Sequence, residues 1–416
     1  MRWFDSSSTG SWRGYAIAVL LLGCGREPAQ LQLDLGREGG ALDEAPRPTR
    51  WQIDFVDESN TSTTLGSGSW PSAALDMDLA PDSIGSFAAR FFGDAERELV
   101  FGQSPSIAVA QLVGRTLPLF VQRRGSFARP SPDLDGRAAP LLALAGRRVL
   151  VVGGGSSLLA AHDLAFGRAL SGRDLGFVPR AIAATNAAVY ALQETRVMRL
   201  DLADNALEEL ILPSEIDRTE LDGSALMPLG ERVVWAGPCH PSRDSSTLVV
   251  LEDRVVRSSA PLHAFCNYDA DGALWMVNAE RALRLHPDGS LHETPLTLAR
   301  TPRAMALPSD GSLVMAIEET DAIHVRRIDA RCLRGEGSCE AEDRGAIGCA
   351  DAAAAAGEEV LFVCDDGGVV RHKTEEALAP LPTREARNGA RPIVLGADEL
   401  ALVGGGPASF ERYRPR

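Results

Sequence analysis

Lysine is almost missing from this chain: Lys373 is the only one, against 41 arginines. A lysine Schiff base or a phosphate-gripping P-loop lysine is thereby nearly excluded. Long apolar runs are missing too. The stretch Tyr15–Leu22 is about eight residues long, less than half of the roughly 20 that a membrane-spanning helix needs. Positive charge is scarce overall, with a net charge of −15. Dispersed acidity of that size argues against nucleic acid or anionic head groups as partners, because both need basic patches.

Catalytic and metal-binding motifs are equally sparse. The histidines (162, 240, 263, 286, 292, 324 and 372) form neither HExxH nor a His-x-His pair. There is no GxSxG elbow and no CxxC or Cys/His spacing of the zinc type. Val152-Gly-Gly-Gly-Ser156 follows a strand-like segment but lacks GxGxxG, and its echo at Gly404–Gly406 marks it as a repeated turn. Asp133-Leu-Asp135-Gly136 and Asp269-Ala-Asp271-Gly272 pair carboxylates before a glycine; the twelfth position of a calcium loop is Leu144 in the first and Glu280 in the second, but the second has Ala273 at the third ligand position, so both read as hairpin turns. No cofactor and no metal is expected.

The N-terminus carries more information. Arg2 and Arg13 precede the short apolar run, which has the length of a secretory signal core. The run ends Leu21-Leu22-Gly23-Cys24. This segment resembles the lipobox of bacterial lipoproteins, whose cleavage leaves an acylated cysteine at the new N-terminus. The resemblance implies that residues 1–23 are a signal peptide, that Cys24 is lipidated, and that the protein is exported and held on a membrane. Gly25, rather than Asp, after that cysteine favours the outer membrane. An ordinary secretory signal with a coincidental cysteine is the alternative. Acyl chains contribute about 0.8 kcal/mol per buried methylene, enough for stable anchoring when there are two or more.

Loss of residues 1–23 would leave 393 residues at net charge −16. One hydrophobic interior seldom serves more than ~250–300 residues. Residues 24–50 are polar and rich in Gly and Pro, and read as a flexible tether. Trp51–Val56 reads as a strand with Trp51, Ile53 and Phe55 on one face.

From about residue 86 a pattern recurs: an apolar strand, a Gly-containing turn and a second strand. It is clearest in ELVFGQSPSIAVAQL (98–112), VLVVGGGSSLLAAHDL (149–164) and LALVGGGPASFERYR (400–414). Leading strands begin near 99, 149, 188, 232, 274, 313, 360 and 400, at intervals of 39 to 50 residues. A period near 40 of mostly strand is one four-stranded blade of a β-propeller. The sequence thus predicts an all-β chain with a propeller over 51–416. Eight repeats are counted, giving seven or eight blades. Paired sandwiches are the competing reading.

Each hairpin is preceded by small and apolar residues suited to an innermost strand. They are Phe87–Phe92, Leu141–Ala145, Ala181–Ala184, Ala225–Pro228, Ala264–Cys266, Ala304–Leu307, Ile347–Ala350 and Ile393–Leu395. The last repeat ends at Arg416 after three strands, and an exposed edge is a liability. Trp51–Val56 is the expected closing strand. Asp351–Gly357, with five consecutive alanines, favours helix and is placed as a loop or single turn.

Six cysteines remain beyond Cys24, an even number suited to disulfides in an exported protein. The blade geometry makes the sequential pairs Cys239–Cys266, Cys332–Cys339 and Cys349–Cys364 sensible. Arg180, His263 and Arg303 fall just before or early in innermost strands, at a channel mouth, where they could hold an anion or be solvated rim residues. A lipid-anchored envelope module that binds a protein or glycan without catalysis is the expected function. An enzyme with a central-channel site, resembling a lactonase, lyase or quinoprotein, is the alternative.

Overall fold

The computed structural model describes residues 15–17, 30–71, 79–130, 137–193, 196–210, 225–237, 246–251, 255–259, 265–268, 272–320, 322–336, 339–406 and 410–416. Among the described residues the regular structure is almost all strand, and the chain forms two compact units. The first comprises residues up to 124 with 128–131 and 165–167; the second comprises 125–127, 132–164 and 168–416. Among the described residues, no helix is long and apolar enough to cross a membrane.

The first unit holds a six-stranded sheet whose central strands are Arg50–Asp57 and Ile84–Phe92. It also holds a three-stranded sheet in which Gln30–Asp34 lies between Tyr15–Ile17 and the parallel strand Thr116–Phe120. Trp51, Ile53 and Phe55 share a buried face with Phe87, Phe91, Leu31 and Leu33. Two expectations are corrected here. Residues 30–50 are not a free tether, because Leu31, Leu33, Leu35 and Leu42 are buried in this core. The alternation Gln-Leu-Gln-Leu-Asp-Leu is a strand pattern, and it outweighs the polar composition around it. Trp51–Val56 does not complete the last repeat, since it pairs on both sides with Ser62–Ser69 and Ile84–Phe92. The hairpin at 98–112 and the segment Phe87–Phe92 belong to this unit as well.

Among its described residues the second unit holds seven four-stranded antiparallel sheets in a propeller-like arrangement. Their first strands are Pro140–Ala145, Ala181–Ala184, Ala225–Leu229, Phe265–Tyr268, Ala304–Ala306, Ala352–Ala356 and Arg391–Gly396, which number the sheets 1 to 7. Each first strand lies against the first strand of the next sheet, and that of sheet 7 lies against that of sheet 1.

The second strands explain the apolar runs in the sequence. Arg148–Gly153 in sheet 1 sends Leu150 and Val152 toward sheet 2 and Val149 and Val151 toward sheet 7. Both faces of the strand are covered, so polar alternation disappears. The same holds for Glu359–Val363, with Val360 and Phe362 packed toward sheet 5 and Leu361 and Val363 toward sheet 7. The apolar interior is thus divided into seven small clusters, one between each consecutive pair of sheets.

The alanine run is a further correction. Ala352–Ala356 is the first strand of sheet 6, in register with Val363 through Glu359, whereas Ile347 ends the last strand of sheet 5. Alanine's helix preference is overridden by tertiary context, because the run pairs with Glu359–Val363 and lies against the first strands of sheets 5 and 7. The glycine turn repeats as expected: Gly153, Gly154 and Gly155 in sheet 1 and Gly404 and Gly405 in sheet 7 all take positive φ. A Cβ on Gly404 would sit 2.3 Å from the carbonyl oxygen of Arg137, so no other residue fits there.

Sheet 7 supplies three of its own strands, and its fourth is Ser126–Ala128, which pairs with Glu411–Arg414. Phe127 and Tyr413 meet at a ring distance of 5.2 Å, both fully buried.

Candidate functional site: the central channel

The first strands converge on a channel that narrows to two adjoining cavities. The first, about 430 Å3, is walled by Leu142, Ala143, Ile182, Ala183, Met227, Ala354 and Ile393 among others. The second, about 690 Å3, opens where the first strands end and includes Leu307, Leu333, Ala355, Leu395 and Trp275. Leu144, Gly272 and Val394 line both. Apolar side chains, from Ala to Leu, Ile and Met, dominate the lining. Glu231 is the one carboxylate among the described residues of the first cavity, and its Oε1 accepts from the Asn186 amide at 2.8 Å. Arg284 and Arg334 are the only charged side chains among the described residues of the second cavity. Arg284 lies over the Trp275 ring at 5.5 Å.

The opposite rim, where first strands begin, carries two of the three residues singled out from the sequence. Arg303, ahead of sheet 5, reaches Asp351 ahead of sheet 6 at 3.2 Å and Glu318 at 3.6 Å. Asp351 accepts from the Asp365 backbone N–H at 2.8 Å, and the Asp365 carboxylate pairs with Arg391 of sheet 7 at 2.7 Å. Arg303 therefore belongs to a chain of contacts that ties sheets 5, 6 and 7 together along the rim. Arg180 is exposed ahead of sheet 2, with its backbone N–H donating to Leu192. The neighbours of sheet 2 are sheets 1 and 3, so Arg180 and Arg303 are not brought onto adjacent sheets. His263, Asp133–Gly136 and the carboxylates Asp269 and Asp271 fall outside the described residues, as does Cys24.

Two disulfides support the site's frame. Cys349–Cys364 lies on the Arg303 rim, its Cα atoms 5.5 Å apart, next to the bond from the Asp351 N–H to the Val363 carbonyl. Cys332–Cys339 closes the connection between the third and fourth strands of sheet 5, which contains the short helix Ala330–Leu333. Cys239 is outside the described residues, so its pairing with Cys266 is as well.

Sequence reasoning missed two groups. His162 and His372 are buried, and desolvation holds both ring pKa values down at about 4. His162 packs edge-on against Phe410, and His372 faces the charged groups Arg344, Arg327, Asp310 and Glu342. The second group is the last strand itself. Glu411, Arg412 and Arg414 are buried, although charged side chains are mostly exposed. The histidines face groups from a neighbouring sheet, and the last strand is matched by Glu399 of its own sheet and by Arg387 in the loop before it, none of them close in sequence.

No family model matches the chain, and no curated protein matches it. Solved structures do resemble it. The virginiamycin B lyase of Staphylococcus aureus is 14% identical with a TM-score of 0.47, over 67% of this chain and 94% of that one. The Pan2 WD40 domain of Neurospora crassa is 9% identical at TM-score 0.46, over 68% and 90%. YCF48 from Cyanidioschyzon merolae is 11% identical at TM-score 0.48, over 70% and 99%. The architecture assigned above rests on this chain's own strand pairing.

Proposed function

We propose that the second unit is a closed, seven-bladed propeller whose last blade is completed by Ser126–Ala128. It serves as a non-catalytic binding or scaffold module on the cell envelope. The chain is exported and tethered through acylated Cys24, on the outer membrane, and its partner is a protein or glycan. The observation that carries the binding reading is the composition of the channel wall. Hydrolytic or lyase chemistry draws on several converging acids, bases or ligands. Here the first cavity presents Ala, Leu, Ile, Met and Pro, with Glu231 already engaged by Asn186. Binding by the rims and loops of a rigid scaffold remains.

Cleavage before Cys24 would remove Tyr15–Ile17 and leave Gln30–Asp34 paired with Thr116–Phe120, with Leu31 and Leu33 still in the core. Two measurements test the proposal. Radiolabelled palmitate should enter the wild-type chain and not a Cys24→Ala variant. A photo-crosslinker at Val178, an exposed side chain ahead of sheet 2, should capture one discrete envelope product in cells. Turnover of a lactone or glycan by the purified protein, abolished in Glu231→Gln, would replace the binding reading with an enzymatic one.

A further inference from the structure

We propose that the channel binds a single-chain anionic amphiphile, a long-chain carboxylate, with its tail along the apolar wall and its head group at Arg334. The inference is independent of the anchor and of the rim partner.

Three observations combine. First, the two cavities adjoin through Leu144, Gly272 and Val394, and each has the volume of a small-molecule site. Second, the walls of both are largely apolar: Met227, Ile393 and Ala354 line the first and Leu307 and Leu395 the second, contributed by four different sheets. An open channel of this lining holds water that an alkyl chain displaces favourably. Third, the charged side chains among the described residues of the second cavity, Arg284 and Arg334, have one sign. Arg334 follows the short helix Ala330–Leu333 and is exposed at the opening, while Arg284 lies against Trp275 on the facing side. Glu231 lines the first cavity and accepts from the Asn186 amide, which disfavours an anionic head in that cavity. A carboxylate at the Arg334 mouth with a tail pointing inward satisfies both halves. A polar sugar or a nucleotide would leave its hydroxyls against alkyl walls.

The test uses the purified full chain with dodecanoate, tetradecanoate and hexadecanoate, followed by calorimetry. A brominated hexadecanoate additionally reports on Trp275 by fluorescence quenching. Saturable binding near one per chain is expected, tightening by roughly fourfold per added methylene. Arg334→Ala, on an exposed position that folding does not need, should weaken hexadecanoate by about tenfold, and hexadecanol should bind the wild type about as weakly as that variant binds the acid. Trp275→Phe should remove most of the bromine quenching while the melting temperature stays close to wild type. No binding at all, affinity indifferent to chain length, equal binding of alcohol and acid, or quenching that survives Trp275→Phe would each overturn the proposal.

Discussion

Arg387 donates from Nε to Glu411 Oε1 at 2.7 Å with both side chains at 0% exposure. The pair sits on the strand that finishes the chain and on the loop that leads into sheet 7. Glu411 also accepts from the backbone N–H groups of Arg384 at 2.8 Å and Glu385 at 3.0 Å, so its carboxylate is saturated. Arg384 Nε meanwhile donates to the Phe127 carbonyl at 2.6 Å, in the strand that crosses from the other end of the repeats.

Breaking that pair should be costly. Removing one partner of a buried, hydrogen-bonded ion pair leaves the other charge without compensation, typically 3–5 kcal/mol. Glu411→Ala should lower unfolding stability by about that much in a urea titration with an unchanged slope. Glu96→Ala, whose partner Arg50 is largely exposed, should change it by less than about 1 kcal/mol.

The strand from 126 to 128 should matter out of proportion to its length. Phe127 is fully buried against Tyr413, and Tyr413 donates its hydroxyl to Glu359 of sheet 6. Phe127→Ala should cost about 3–5 kcal/mol, and it should raise hydrogen exchange first in Glu399–Val403 and Glu411–Arg414.

Acid should weaken the protein before its carboxylates titrate. His162 and His372 carry native pKa values of about 4, whereas an unfolded His lies near 6.5. Above pH 6.5 both states are neutral and the residues contribute no pH dependence. Between pH 6.5 and 4 only the unfolded chain takes up the protons, so stability falls. The loss reaches roughly 2–3 kcal/mol for each histidine by pH 4. His372→Leu should flatten this acid limb in melts recorded from pH 7.5 to 4.5, since neither ring nitrogen has a hydrogen-bond partner among the described residues.

The two disulfides should differ in weight. Cys349–Cys364 spans 15 residues and Cys332–Cys339 spans 7. Chain-entropy reasoning gives the longer loop about 3 kcal/mol and the shorter one less. Cys349→Ser with Cys364→Ser should therefore lower the melting temperature more than the Cys332→Ser, Cys339→Ser double variant does.

Legibility in the sequence follows how local each cause is. Val149–Val152 and Val360–Val363 are readable because burial on both faces writes an uninterrupted apolar run. The first-strand segments of sheets 1, 2, 3, 5 and 7 are readable because they are short apolar runs placed ahead of each hairpin. Ala352–Ala356 misleads, since local propensity assigns a run of alanines to helix. The repeat at 98–112 imitates the others because any hairpin has a strand, a glycine turn and a strand; only its partners, Ile84–Phe92 and Gln122–Arg123, separate it. Glu411–Arg414 is hidden because Glu399 and Arg387, which make its charges tolerable, are brought to it by the fold. The channel's apolar wall could be anticipated from the first strands, whereas Arg334 at its mouth comes from a connection that the period does not specify.

The most direct measurement is an experimental map of the full chain at a resolution that traces strands. It should show seven four-stranded sheets around one axis, separate small apolar clusters between them, and Ser126–Ala128 as the outer strand beside Glu411–Arg414. An eighth sheet containing 98–112, or Trp51–Val56 paired with Glu411–Arg414, would contradict the account.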